Sequence, residues 1–207
     1  MMRKALAAAA LGAVLWLPGS IDGSSSAEAQ GAPARTERAI FAGGCFWSTE
    51  RDLERLPGVV SVVSGFTGGS EANPSYAQVA QERTSHVEAV VVVFDPARIS
   101  YARLVRHFLH SIDPTDNGGQ FCDRGANYRT AVFAIGAAQR REAEAALAEA
   151  NRQLGGRVVT PVRAASRFFG APPAHQDYAA RNPERYAAYR RGCGKDARLR
   201  QIWGNAA

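Results

Sequence analysis

The chain has 207 residues, 25 of them Lys or Arg against 19 Asp or Glu, giving a net charge of +6 with 46% hydrophobic content. Three cysteines are too few, and odd in number, for a disulfide scaffold, so at least one sulfur is left for other work. The length suits one compact domain with a full core.

The N-terminal residues have the layout of an export signal: Arg3 and Lys4, an apolar run from Ala5 to Leu17, then small residues at Ala27-Glu28-Ala29. Residues 1–29 are expected to be a signal peptide, residues 30–182 the main domain and residues 183–207 a C-terminal tail, with the mature protein periplasmic or secreted. The apolar run falls short of the ~20 residues that a membrane span requires, so no stable insertion is expected after the signal is removed.

Residues 37–42 read as a strand entering the turn Gly43-Gly44, and a helix is expected over residues 45–56, stopped by Pro57-Gly58. The β-branched run 59–66 is a second strand, followed by a loop over 70–85 with one helical turn near 76–81. Residues 87–94 are apolar at both alternating positions, which requires burial on both faces. Tyr101, Leu104, Val105, Phe108, Leu109 and Ile112 form a helical stripe with Ser100 as N-cap, leaving His107 and His110 on the solvated side. A Gly/Asp/Asn-rich loop over 114–127, a strand over 129–135, a helix over 137–154 and a strand over 157–163 interrupted by Pro161 complete the domain. Alternating strands and helices indicate an α/β (α+β) fold in which helices cover a sheet.

From His175 onward the pattern is helical and basic. Arg181, Arg185, Arg190, Arg191, Lys195, Arg198 and Arg200 face only Glu184 and Asp196, and this run reads as a solvated tail. It carries no recognition motif and no platform of spaced aromatics, so nucleic acid is not expected as a partner. No CxxC or HExxH spacing occurs, and His86, His107, His110 and His175 form no ligand pattern with the cysteines; no metal is expected.

The chemistry centres on Gly43-Gly44-Cys45-Phe46-Trp47. A glycine turn, the start of a helix and two aromatics build a reactive thiol beside an apolar wall, with the helix N-terminus favouring the thiolate. Two other readings use the same thiol: a cysteine acyl transferase pairing Cys45 with His86 or His175, and a module that binds oxidised methionine without reacting.

These residues, followed by Gly68-Gly69, Asn73-Pro74-Ser75-Tyr76, His86-Val87-Glu88, Asp123-Arg124-Gly125 and Tyr128-Arg129, resemble in order and spacing the A-type peptide methionine sulfoxide reductases over roughly residues 37–182. The resemblance implies a two-layer sandwich with a mixed central sheet and a ferredoxin-like plait core. It also implies reduction of the S epimer of methionine sulfoxide, free or in oxidised proteins, without metal or organic cofactor. By position, Cys45 matches the nucleophile, Phe46 and Trp47 the substrate wall, and Glu88 the acid. Tyr76, Asp123 and Tyr128 match the groups that hold the sulfoxide oxygen and a nearby water.

This sequence departs from the family pattern at Ser48, where a glycine is common, at Cys122, where an asparagine is frequent, and at Arg191-Gly192-Cys193-Gly194, which replaces Gly-Tyr-Cys. Thiolate attack on the sulfoxide sulfur builds charge on oxygen that a neutral Glu88 would meet. Alternation places Glu88 on a face with Val90, Val92 and Phe94, where desolvation raises a carboxyl pKa. The resulting Cys45 sulfenic acid condenses with a second thiol. Cys193 is the expected resolver, flexible between glycines and beside Arg190, Arg191 and Lys195, which should lower its pKa; Cys122 is the alternative, or a relay. A thioredoxin-like protein is the implied reductant and a monomer the expected state.

Overall fold

A computed structural model describes residues 35–204; the expected signal over residues 1–29 lies outside the described residues. In chain order the elements are β1 (Glu37–Ala42), α1 (Phe46–Glu54), β2 (Val59–Thr67), α2 (Tyr76–Ala80), β3 (Val87–Phe94), α3 (Tyr101–His110), β4 (Gly119–Gln120), β5 (Asp123–Arg124), a 3-10 turn (Ala126–Tyr128), β6 (Ala131–Ala134) and α4 (Gly136–Gln153). The C-terminal part adds β7 (Val162–Ala164), β8 (Phe169–Gly170), a second 3-10 turn (Pro173–His175), α5 (Tyr178–Arg181), α6 (Pro183–Gly192) and α7 (Lys195–Trp203).

The main sheet runs β7-β6-β1-β3-β2-β8, with β6 and β7 parallel and every other pair antiparallel. Its four inner strands, with α1 and α3 as crossovers, form the ferredoxin-like plait. β3 lies inside the sheet, pairing Val91 with Ile40 of β1 and Val63 of β2, and this explains its apolar run on both faces. One face sends Ala39, Phe41, Val90, Val92 and Phe94 into the main core with Leu104, Val105 and Phe108 of α3. The other buries Ile40, Ala89, Val91 and Phe133 beneath Ala165 and Phe168.

Three local differences from the expected elements have simple causes. The last strand begins only at Val162, because Pro161 has no N–H to give a ladder; its carbonyl instead accepts from Val132 N at 3.0 Å. The loop over 114–127 contains the β4–β5 hairpin, whose two-residue turn holds Cys122. α1 starts at Phe46, with Cys45 outside it as the N-cap.

The basic C-terminal run is not a solvated tail. Lys195 is 2% exposed, and Leu199 and Trp203 of α7 belong to the main core. Trp203 donates its indole N–H to the carbonyl of Ile112 at 3.2 Å and stacks on His110, which is therefore not simply solvated. Lys195 and Arg190 both pair with Asp52 of α1, at 2.8 and 2.7 Å, and Arg198 pairs with Asp113 at 2.8 Å. The charges that looked unbalanced along the sequence meet carboxylates from other elements.

The turn before α1 is tightly specified. Gly44 has φ of +81°, and a Cβ there would lie 2.5 Å from Cβ of Gln120. Gln120 cannot yield, because its amide clamps both N–H and C=O of Asp113 at 2.8 Å. Gly44→Ala is expected to destabilise the fold by about 2 kcal/mol or more, combining strain with overpacking. An unchanged urea midpoint would refute this account of the turn.

Candidate active site

Gly43-Gly44 delivers Cys45 to the N-terminus of α1, where its backbone carbonyl accepts from Ser48 N and Thr49 N at 3.1 and 3.3 Å. The thiol is unpaired and 9% exposed. Contrary to the expectation from the helix terminus, the site holds it as a neutral thiol. Burial pushes its pKa well up, and the carboxyls of Glu88 and Asp123 add to this; the nearby Tyr189 hydroxyl and Trp47 N–H act in the opposite direction but are weaker.

Glu88, second residue of β3, is 2% exposed, and its Oε2 accepts from Phe46 N at 3.0 Å. Its partner is thus the residue adjacent to the thiol. Burial raises the carboxyl to about 8, with the charge of Asp123 adding and the Phe46 N–H opposing. Glu88 therefore carries its proton at neutral pH, as its strand face suggested.

Tyr76 and Tyr128 complete the polar side. Both hydroxyls are raised first by burial and then by the charges of Glu88, Cys45 and Asp123, so they stay protonated donors. Asp123, half-buried on β5, accepts from the Tyr189 hydroxyl; burial raises its pKa, while Tyr189 and Lys195 oppose that. Cys45, Glu88, Tyr76, Tyr128 and Asp123 therefore act on one another electrostatically, although they come from four separate stretches of chain.

The aromatic side differs in detail from the expectation. Phe46 is 1% exposed and packs against Phe66 and Tyr76, so it is core behind the site. Trp47 is half-buried, stacks on Tyr178 at 3.7 Å, and donates its indole N–H to Nδ1 of His175 at 3.3 Å. His175 stacks in turn on Tyr76 at 4.0 Å. Trp47, His175 and Tyr76 form the accessible apolar surface.

Three contributors were not identified from the residues alone, Gln176, Tyr178 and Tyr189, and His175 enters there only as an acyl-transfer partner of Cys45. Gln176 bonds both N–H and C=O of Ser64 on β2 at 2.9 Å, pinning the segment that presents His175 and Tyr178. Tyr189 lies on α6, and the spacing of Tyr186, Tyr189 and Cys193 on one helical face was the available signal. Ser48 has a structural use: Oγ accepts from the Tyr186 hydroxyl at 3.3 Å, tying α6 to α1.

Cys122 and Cys193 form a disulfide with Cα atoms 4.9 Å apart, leaving Cys45 free. Cys122 is exposed and Cys193 half-buried. The positive neighbours invoked for Cys193 are largely neutralised, because Arg190 and Lys195 are held by Asp52. Cys122, Asp123 and Cys193 cluster closely enough to suggest metal ligation, but their sulfurs are joined to each other. Neither histidine of the acyl-transfer reading is bonded to Cys45: His86 is held by Gly69 N and the carbonyl of Glu71, and His175 by Trp47. A cleft of about 580 Å³ between α1, α3 and α6–α7, lined by Arg55, Arg106 and His107, contains none of the site residues. Among the described residues no helix is long and apolar enough to cross a membrane.

A family model described as peptide methionine sulfoxide reductase matches residues 37–207. The chain is 50% identical over 181 residues to peptide methionine sulfoxide reductase MsrA 2 of Caulobacter vibrioides, covering 87% of this chain and 91% of that protein. It is 43% identical over 176 residues to MsrA of Bacillus licheniformis, covering 82% and 95%. The fold matches methionine sulfoxide reductase A of Corynebacterium diphtheriae with a TM-score of 0.69 at 32% identity, over 74% of this chain and 77% of that one. Reduced Mxr1 of Saccharomyces cerevisiae also gives 0.69, at 28% identity, over 74% and 89%. With a buried thiol set beside a protonated carboxyl, and with relatives of this kind along its whole described length, the chain belongs to the A-type peptide methionine sulfoxide reductases, which reduce the S epimer of methionine sulfoxide.

Proposed function

We propose that Cys45 attacks the sulfoxide sulfur while Glu88 protonates the departing oxygen. The observation that carries this assignment is the bond from Phe46 N–H to Glu88 at 3.0 Å, which sets the acid against the residue next to the nucleophile. Tyr76 and Tyr128 donate to the sulfoxide oxygen, and Trp47 with His175 holds the methyl group by apolar contact. Attack forms a Cys45 sulfenic acid and releases the thioether. A second thiol then displaces water to give a disulfide.

In this reading Cys193 resolves first and Cys122 then takes over Cys193, regenerating the Cys45 thiol. The Cys122–Cys193 bond supports a relay, since it is the end state of such an exchange. Mass spectrometry of the reduced chain after one equivalent of methionine sulfoxide tests both assignments. One methionine should form per chain, and Cys122→Ser should trap a Cys45–Cys193 link. If Cys193→Ser instead traps Cys45–Cys122, while Cys122→Ser stops at the sulfenic acid, the order is reversed; if Cys45 never enters a link, its role as nucleophile fails.

The exposed Cys122 sulfur offers an external thiol a place to attack, which supports a thioredoxin-like reductant. Yeast Mxr1 is also known in complex with Trx2. The proposed export rests on Arg3, Lys4, the apolar run and Ala27-Glu28-Ala29. N-terminal sequencing of protein recovered from an export-competent host should begin at Gln30.

A further inference from the structure

We propose that Tyr189 is a catalytic residue that passes the Cys45 proton to Asp123, so that the thiolate forms through a relay within the site. The proposal rests on the reading of Cys45 as nucleophile and adds a route for its proton.

The geometry is specific. The Tyr189 hydroxyl donates to Asp123 Oδ2 and lies close enough to the Cys45 sulfur to act on its acidity. A phenol has one proton to donate. With that proton on the carboxylate, the hydroxyl oxygen turns its lone pairs to the S–H of Cys45. Tyr189 thus bridges an acid in need of a base and a base out of the acid's direct reach. Its ring is held edge-on against Trp47, with centroids 6.1 Å apart, so the hydroxyl is aimed by packing.

Burial favours the neutral form of Asp123, which accepting a proton gives it, while the Tyr189 hydroxyl and Lys195 of α7 favour the ionised form. Glu88 of β3 and the hydroxyls of Tyr76 and Tyr128 face the same thiol and hold their own protons. Asp123 is the group left to act as base. In the transfer, the Cys45 proton moves to the Tyr189 oxygen as the Tyr189 proton moves to Asp123. The products are a Cys45 thiolate, a neutral tyrosine and a neutral Asp123 carboxyl.

The thiolate bonds to the substrate sulfur as Glu88 protonates its oxygen, and that oxygen then passes to Cys45 as the sulfur–sulfur bond and the substrate's sulfur–oxygen bond break, leaving the sulfenic acid and the thioether. Cys45 is oxidised, the substrate sulfur is reduced, and the Glu88 proton ends on the transferred oxygen. Asp123 afterwards returns its proton through solvent to Glu88, and no outside oxidant or reductant is needed.

Two measurements on the full chain test the relay. In the disulfide form, Cys45 is the only free thiol, so the pH dependence of iodoacetamide alkylation reports its acidity alone. In the reduced form, rapid-quench detection of methionine reports the first turnover. Tyr189→Phe keeps the ring and should slow the first turnover by about tenfold or more, with the alkylation midpoint moved to higher pH. Asp123→Asn should move that midpoint to lower pH, through loss of a negative neighbour, and yet slow the first turnover. A thiol that grows more acidic while its reaction slows is the signature of a lost base. Tyr189→Phe with an unchanged first turnover, or Asp123→Asn with a first turnover that quickens along with its acidity, overturns the relay. If the unmodified chain forms no methionine, the nucleophile assignment fails and the relay with it.

Discussion

Glu88→Gln is expected to slow the first turnover at neutral pH by about 10²- to 10⁴-fold, the range over which a positioned acid contributes. Glutamine keeps the size and can still accept from Phe46 N–H, so the nucleophile's turn should survive while the transferable proton is lost. The pH dependence is the sharper readout. Glu88 is held at about 8, so the first-turnover rate of the unmodified chain should fall as pH rises through that value, and this alkaline limb should disappear in the variant. A limb that persists unchanged in Glu88→Gln would assign the acid elsewhere.

The same carboxyl ties stability to pH. The folded protein holds the Glu88 proton to higher pH than an unfolded chain, whose glutamates titrate near 4.5. Its contribution is therefore complete below that range and is lost as pH rises through about 8. One pKa step is worth about 1.4 kcal/mol, so ionising Glu88 in place costs on the order of 5 kcal/mol. Glu50, buried on α1 and raised to about 7 by its surroundings, adds a separate fall that remains in Glu88→Gln. Urea midpoints from pH 5 to 9 should therefore decline in both proteins, and less steeply in the variant.

Lys195→Met should destabilise the fold by about 2 kcal/mol, because the buried Asp52 carboxylate loses one of its two cationic partners and keeps only Arg190. Lys195 has a side chain 3% exposed and lies 2.8 Å from Asp52, itself 13% exposed. The double variant Asp52→Asn/Lys195→Met should recover most of the loss, since Arg190 keeps its second partner, Asp196, at 2.7 Å. Arg198→Met provides the contrast. Its ion pair is 45% exposed on the arginine side, and the buried Asp113 keeps the Thr115 N–H and hydroxyl as donors, so a smaller loss of about 1 kcal/mol is expected. A Lys195→Met protein as stable as the parent would show that this pair does not anchor the C-terminal helices.

That anchoring bears on the chemistry. α6 and α7 are fixed to α1 and the loop after α3 by Asp52, Ser48, Asp113 and the carbonyl of Ile112. The face of α6 thereby placed over the site presents Tyr189 to Cys45, with Cys193 one helical turn further on. Loosening the C-terminal helices should disturb both the acidity of the nucleophile and the exchange of disulfides.

Much of this protein is written locally. Periodicity separates the strands from α1, α3 and α4, the two-faced apolar run of β3 demands an interior place in the sheet, and strand alternation puts Glu88 on the core side with Val90 and Val92. The glycine turn before Cys45 and the aromatics after it mark the nucleophile because their conformational and packing demands fall on adjacent residues. Other features depend on groups distant in sequence. Burial of Cys45 beside Glu88 and Asp123 reverses the acidity that a helix N-terminus alone would confer. Carboxylates from α1 and the loop after α3 turn a basic run into packed helices, and Tyr189 reaches the thiol only because α6 lies across α1. Sequence patterning determined which chemical groups are available and which side of each element they occupy; tertiary packing alone decided their charge states and partners, since desolvation and Coulomb interactions depend on distance in space.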